Sequence, residues 1–208
     1  MLCINSYLTY SSYTIQRLTP ILEQTLGRKL VLPKRQIRTL DELTSLFPEL
    51  FDIFVDGTER PMQRPKNKDK QKNNYSSKKK KHTRKNTIIS DKNKRIVYLG
   101  PTAEGKKHDY SMFKDEIPSD IKSKHKSKKH NFWMDLGYMG VEKDYPNINI
   151  IMPKKKPKGK ELTENEKKNN QIISGFRVKA EHAIGGIKRL RITTDVFRNK
   201  KDKFNDTV

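Results

Sequence analysis

FDIFVDG, residues 51–57, reads as a short strand that delivers an acid: Phe51, Ile53, Phe54 and Val55 lead to Asp56, and Gly57 follows. Two further β-branched or aromatic runs, Asn86 to Ser90 and Arg95 to Leu99, are joined by the turn-like DKNK at 91–94. The three runs make a three-stranded meander with Asp56 at the exit of its first strand. Working outward, a helix is expected over 109–116, a fourth strand over 131–135 and a fifth over 148–152, stopped by Pro153. A lysine-rich loop (KKKPKGK, 154–160) precedes Leu162 to Arg191, mostly helix formers and expected as one or two helices. The order is three strands, helix, strand, strand, helix, which defines an α/β chain with a mixed sheet flanked by helices.

On the N-terminal side, Thr39 to Leu50 (TLDELTSLFPEL) starts with a cap-like Thr and acids in the first turn, so a short helix is expected to pack on the core. Residues 28–39 are basic, interrupted by Pro33, and read as a linker. In residues 11–26, Ile15, Leu18, Ile21, Leu22 and Leu26 fall at helical spacing around Pro20, giving one or two short helices. Two units follow, a helical segment with linker over 1–45 and a main domain over 46–208.

Charge narrows the partner. The 208 residues carry 46 Lys and Arg against 24 Asp and Glu, a net charge of +22, which suits a polyanion. No apolar run approaches the roughly 20 residues that span a bilayer, so a membrane role is disfavoured. Cys3 is the only cysteine, which excludes an intrachain disulfide and a Cys-based zinc site and fits a cytoplasmic or nucleoid setting. Residues 57–85 are far longer than a hairpin loop and stand outside a compact core, which points to function or disorder. Within 64–85 there are eleven Lys and Arg against Asp69 alone. This run, with Lys78, Lys79, Lys80, Lys81 and Arg84, is a candidate contact to the DNA backbone, or else a solvated tract.

Three acids stand out against that background. Asp56 and Asp135 (in NFWMDLG, 131–137) each end an apolar run, with Gly57 directly after the first and Gly137 two residues after the second, and Glu181 lies in the helix-like RVKAEHAIGGIK, 177–188. Either aspartate alone can be an ordinary turn residue. Arg177, Glu181 and Lys188 fall within roughly 40° of one another on a helix, so Arg177 can pair with Glu181 while Lys188 reaches a phosphate. The same pattern can be a plain surface ion pair. A few carboxylates without a Cys or His cage suit magnesium, and a pair of such ions is the chemistry of nucleic-acid cleavage. His108 and Asp109 can add polar groups to that site or cap the helix that follows.

Four linked motifs, FVDGTERP…TRKNTII (54–89), GKKHDYSMF (105–113), WMDLGYMG (133–140) and FRVKAEHAIGGIKRLRI (176–192), together resemble DDE transposases of the insertion-sequence-five and PIF/Harbinger-like group. The order of elements likewise resembles the core of ribonuclease-H-like, retroviral-integrase-like folds. The resemblance implies that Asp56, Asp135 and Glu181 are catalytic ligands of two Mg2+ or Mn2+ ions, with Arg177, Lys188, His108 and Asp109 in support. It implies metal-dependent cleavage and strand transfer on double-stranded DNA, at transposon ends and target, in a homo-oligomer. Lys154, Lys155, Lys156, Arg189 and Arg191 join the 78–84 basic residues as expected DNA contacts. Residues 11–26 resemble the end of a helix-turn-helix, so the chain is expected to be a truncated copy or one frame of a split element, with a helix-turn-helix partner from the upstream frame. A catalytically inactive DNA-binding remnant and a basic RNA-binding protein are the alternatives. Ser174 stands where the family commonly has an aromatic, and Gly185 and Gly186 are adjacent within the helix, where they can weaken it or serve close packing on the sheet.

Overall fold

A computed structural model describes residues 17, 18, 21, 37, 39–118, 130–146, 148–189 and 191–198. The chain divides into two compact units, Met1–Pro33 and, in the main, Lys34–Asp206. In the first, Arg17, Leu18 and Ile21 are helical; the remainder of the expected 11–26 helices lies outside the described residues. Residues 34–45, grouped with the N-terminal segment in the sequence reading, belong to the second unit.

That second unit opens with helix α1 (Leu40–Leu46), capped by the Thr39 hydroxyl, which accepts from the Glu42 amide at 3.1 Å. Asp41 and Glu42 in its first turn favour the helix N-terminus. Leu40 and Leu43 are buried with Phe47, Leu50 and Ile53, so the expected helix forms and packs on the core. Strand β1 (Asp52–Pro61) lies at the centre of the sheet. It pairs antiparallel with β3 (Lys81–Asp91), from Ile53 opposite Asp91 to Pro61 opposite Thr83. Strand β4 (Ile96–Leu99) continues the meander on β3, across a register shift at Ile89/Ser90. On the other side of β1, β6 (Asn131–Trp133) and then β7 (Asn149–Ile151) add in parallel. The resulting order, β4-β3-β1-β6-β7, is a mixed sheet.

Alternation along β1 explains both layers. Ile53 and Val55 face a core shared with α1, with α3 (Asp109–Glu116) through Phe113, and with Tyr138, Val141 of α4 (Val141–Asp144) and Tyr145. Phe54 points the other way, onto Trp133 and Ala180 of the 25-residue helix α5 (Glu164–Lys188). Helix α5 starts with a complete capping box, Thr163 and Glu166. The stretch expected as one or two helices is therefore one α-helix, followed by a short 3-10 turn at Arg191–Thr193. Trp133, expected in the core, is buried; it stacks between Phe54 and Phe176 and donates its indole N–H to Asp52 at 2.9 Å.

Residues 57–85 differ from expectation. They are built into the domain: β1 runs on past Gly57 to Pro61, β3 begins at Lys81, and between them lie α2 (Lys68–Asn74) and the short strand β2 (Tyr75–Ser76), with β5 (Ala103–Glu104) added to β3. Asp56 is consequently mid-strand, opposite Ile88, and not at a strand exit. The cause is pairing across the hairpin: Thr58 and Glu59 oppose Asn86 and Lys85, and Thr83, Thr87 and Arg60 are buried there, so β-branched and long polar side chains take the place of an apolar run. Asn67 caps α2, accepting from the Lys70 amide at 2.9 Å. Tyr75 and His82 face each other across the β2–β3 pair in edge contact, ring centroids 5.6 Å apart.

Candidate active site

Strands β1 and β6 pair as far as Phe54 opposite Trp133. Asp56 and Asp135 each lie two residues beyond that last pair, and so emerge beside one another where the strands part. Each is held by a nearby glycine amide: Gly57 N–H donates to Asp56 Oδ1 at 2.7 Å, and Gly137 N–H to Asp135 Oδ1 at 2.7 Å. The second bond caps the 3-10 turn Leu136–Tyr138. Burial pushes the Asp56 carboxyl up to about 6; Asp135 and Asp109 add to the rise, while the Gly57 amide and Arg177 oppose it. An acid hard to ionise next to further acids is one whose charge a cation would relieve.

Neither Gly57 nor Gly137 has a positive φ, so left-handed backbone is not what they supply. Space is. A Cβ on Gly57 would fall 3.1 Å from Asp109 Oδ1; one on Gly137 would fall 2.8 Å from Asp135 Oδ1 and 3.4 Å from Asp109 Oδ2. Asp109, the first residue of α3, thus reaches the gap between the two aspartate-bearing segments. Its Oδ1 takes the Lys85 ammonium at 3.0 Å, and Lys85 also lies 3.6 Å from Glu59 and donates to the Lys107 carbonyl at 3.0 Å. His108 occupies the N-cap position through its backbone, but its side chain makes no capping bond. The capping expectation for that side chain is corrected: imidazole lacks the short oxygen acceptor of Ser, Thr, Asp or Asn.

Tyr138 completes the floor of the site. Its hydroxyl is fully buried and, among the described residues, has no hydrogen-bond partner. Burial, and then the negative charge of Asp109, Asp56 and Asp135, push it well above the usual tyrosine range.

On α5 the expected pairing changes. Arg177 Nη2 stands 4.0 Å from Asp135 Oδ2 and makes no ion pair with Glu181. The Arg177 and Asp135 side chains are 19% and 30% exposed, whereas Glu181 is exposed and gains nothing from giving up water. Among the described residues, no three His, Cys, Asp or Glu side chains stand close enough to share an ion. Loss of solvent, together with Lys79 and Lys78, holds the Lys188 ammonium below the usual lysine range, against the pull of Asp56 and Glu59. The end of α5 and the lysine turn before β3 therefore share one neighbourhood with Asp56.

Other expected contacts are scattered. Lys78, Lys79, Lys80 and Lys81 are exposed and Arg84 is half-buried. Lys154 pairs with Glu166 and Lys156 with Glu161, while Lys155 is exposed. Arg189 and Arg191 are exposed, the latter 3.7 Å from Asp195. Both Gly185 and Gly186 have open space where a Cβ would go, so close packing is not their purpose. In the sequence Lys85 is hidden within a run of basic residues, and the one signal for Tyr138 is its place in WMDLGYMG.

A mixed sheet that releases two aspartates side by side, with a long helix laid across them, is the setting of an acid-based nuclease. Residues 55–208 match the family model described as DDE superfamily endonuclease, and the chain belongs to that family. It is 31% identical over 180 residues to a probable transposase for insertion sequence element IS702 of Microchaete diplosiphon, covering 86% of this chain and 59% of that protein. The chain thus spans about three-fifths of the length of the curated relative it matches. No solved structure matches it. No helix of the described residues is long and apolar enough to cross a membrane.

Proposed function

We propose that the chain is the catalytic domain of a transposase of the insertion-sequence-five/PIF-Harbinger-like group, cutting DNA strands and transferring the new 3′ ends to a target. The observation that carries this reading is the emergence of Asp56 and Asp135 together where β1 and β6 separate. The donor set fits a hard divalent cation: carboxylate oxygens of Asp56, Asp135 and Asp109 beside two glycines that leave room for them. Mg2+ or Mn2+ would be held by Asp56 and Asp135, with Glu181 as the third ligand on the strength of the family resemblance of FRVKAEHAIGGIKRLRI, 176–192. Two such ions, when bound, activate the attacking oxygen and stabilise the leaving one.

The chain's own residues do the remainder. Arg177 balances Asp135 and limits the charge of the acid pair. Lys188, Lys78 and Lys79 gather cationic charge beside Asp56 for the backbone phosphates, making DNA affinity salt dependent and largely indifferent to sequence. The strand order supports a ribonuclease-H-like core, and the helical Arg17, Leu18 and Ile21 support a helical N-terminal segment of helix-turn-helix type. A homo-oligomer on double-stranded DNA, in the cytoplasm or nucleoid, completes the proposal.

Nicking of supercoiled plasmid by the purified chain tests it. Nicking should require Mg2+ or Mn2+ and be lost in Asp56→Asn and Asp135→Asn; unchanged nicking in Asp56→Asn would overturn the reading.

A further inference from the structure

Asp109 belongs to no part of the acid triad, yet its carboxylate fills the space that Gly57 and Gly137 leave open, 3.1 Å and 3.4 Å from where their Cβ atoms would be. Gly57 has the same strand parity as Val55, so Asp109 comes to the gap from the α3 face, opposite the face that carries Arg177 and Glu181. It does not stand free there. Lys85, whose side chain is 12% exposed, holds Asp109 Oδ1 at 3.0 Å, an ion pair formed largely out of water. A second, independent feature lies in the same place: the buried Tyr138 hydroxyl has no partner among the described residues, although Asp109, Asp56 and Asp135 are its charged neighbours. A buried hydroxyl left unbonded is costly, and one left so beside three carboxylates suits a hydrated ion whose water or ligand would engage it.

We propose that Asp109 is a further carboxylate of the cation site, contributing through the ion's own water, and that Lys85 is the internal counter-ion that competes with the hydrated cation for it. This rests on the reading of Asp56 and Asp135 as cation ligands. Lys85 keeps the acid cluster from carrying its full negative charge while no ion is bound. With a cation bound, Lys85 would keep Glu59, 3.6 Å away, as its partner. Lys85 and Tyr138 act through Asp109 and are positioning residues.

The pair makes opposite predictions for its two members. In titrations of the full chain with Mn2+, followed by electron paramagnetic resonance of the free ion, Asp109→Asn should weaken binding by about tenfold and Lys85→Met should tighten it by several-fold. Tyr138→Phe should weaken binding about twofold to fivefold. The gain from Lys85→Met should vanish in the Asp109→Asn background, since it acts through that carboxylate. Lys107→Met, which removes an ammonium paired with Asp115 at 2.6 Å instead, should give a smaller gain. If Asp109→Asn fails to fold by circular dichroism, Lys85→Met alone decides.

Unchanged affinity in Asp109→Asn, or unchanged or weaker affinity in Lys85→Met, overturns the proposal while Asp56→Asn still loses the ion. Retention of Mn2+ by Asp56→Asn and Asp135→Asn would instead overturn the reading beneath it.

Discussion

Arg177 Nη2 lies 4.0 Å from Asp135 Oδ2, so the charge that steadies the second aspartate comes from α5, an element separated from it by the whole of β7. Arg177 also holds down the Asp56 carboxyl, which burial and the neighbouring acids push up to about 6. Arg177→Met should therefore raise Asp56 further. A carbon-13 titration of the Asp56 carboxyl reads this directly, and a midpoint at or below the parent value would contradict the role. Loss of stability should be modest, about 1 kcal/mol or less, because both partners keep some contact with water.

Asp56 and Glu116 should make the metal-free protein gain stability as pH falls through neutrality. Burial raises Asp56 from 3.8 to about 6, and raises Glu116 from 4.5 to about 7 against hydrogen bonds from Thr87 and Tyr98. A folded-state value above the unfolded one means the folded state binds the extra proton. The penalty is fully present above about 6 or 7 and gone below about 4. Asp56→Asn should stabilise the metal-free chain at pH 8 by on the order of 1–3 kcal/mol and by much less at pH 4. Urea unfolding of parent and variant at the two pH values gives the difference free of every other titrating group. A benefit equal at both would show that Asp56 is not the group responsible.

Gly137→Ala tests the packing of the acids. The new methyl would start 2.8 Å from Asp135 Oδ1 and must displace it or Asp109. Cation binding and nicking should fall well before the fold does, with a stability cost of about 1–3 kcal/mol. Full activity with an unshifted melting temperature would mean the gap is wider than its glycines indicate.

Gly185 and Gly186 predict the opposite sign. Each lies in α5 with nothing within 4 Å of a Cβ. Replacing either with alanine should stabilise the domain by up to about 1 kcal/mol by removing glycine's backbone entropy cost. Thermal unfolding checks this, and destabilisation would point to a bend in α5 that the glycines serve.

Much of the sheet was legible because its interior is apolar on both faces: Ile53 to Val55, Ile88 to Ile89 and Val97 to Tyr98 carry their own signal. Helix α3 was bounded correctly at 109–116. The outer half of β1 was not legible, since Gly-Thr-Glu-Arg-Pro has turn grammar and becomes strand only through its partner Thr83 to Thr87. Asp56 and Asp135 could be found as acids after apolar runs. The partner of Arg177 could not, because helical spacing compares residues within α5 and Asp135 arrives from another element. Lys85 shows the same limit: in sequence it is one cation among eleven, and only the position of Asp109 singles it out.

The unbroken hairpin has a mechanical meaning. Nine residue pairs, from Ile53 opposite Asp91 to Pro61 opposite Thr83, form one stiff ribbon that passes through Asp56 and ends near the lysine turn before β3. A duplex gripped at Lys78 and Lys79 would load this ribbon through the single turn at 77–80 that leads into β3, the partner of the strand that carries Asp56. Bending or twisting of the bound DNA would then be felt at Asp56 as displacement of the backbone. A substrate too short to reach the lysine turn would lose that coupling even while it filled the site.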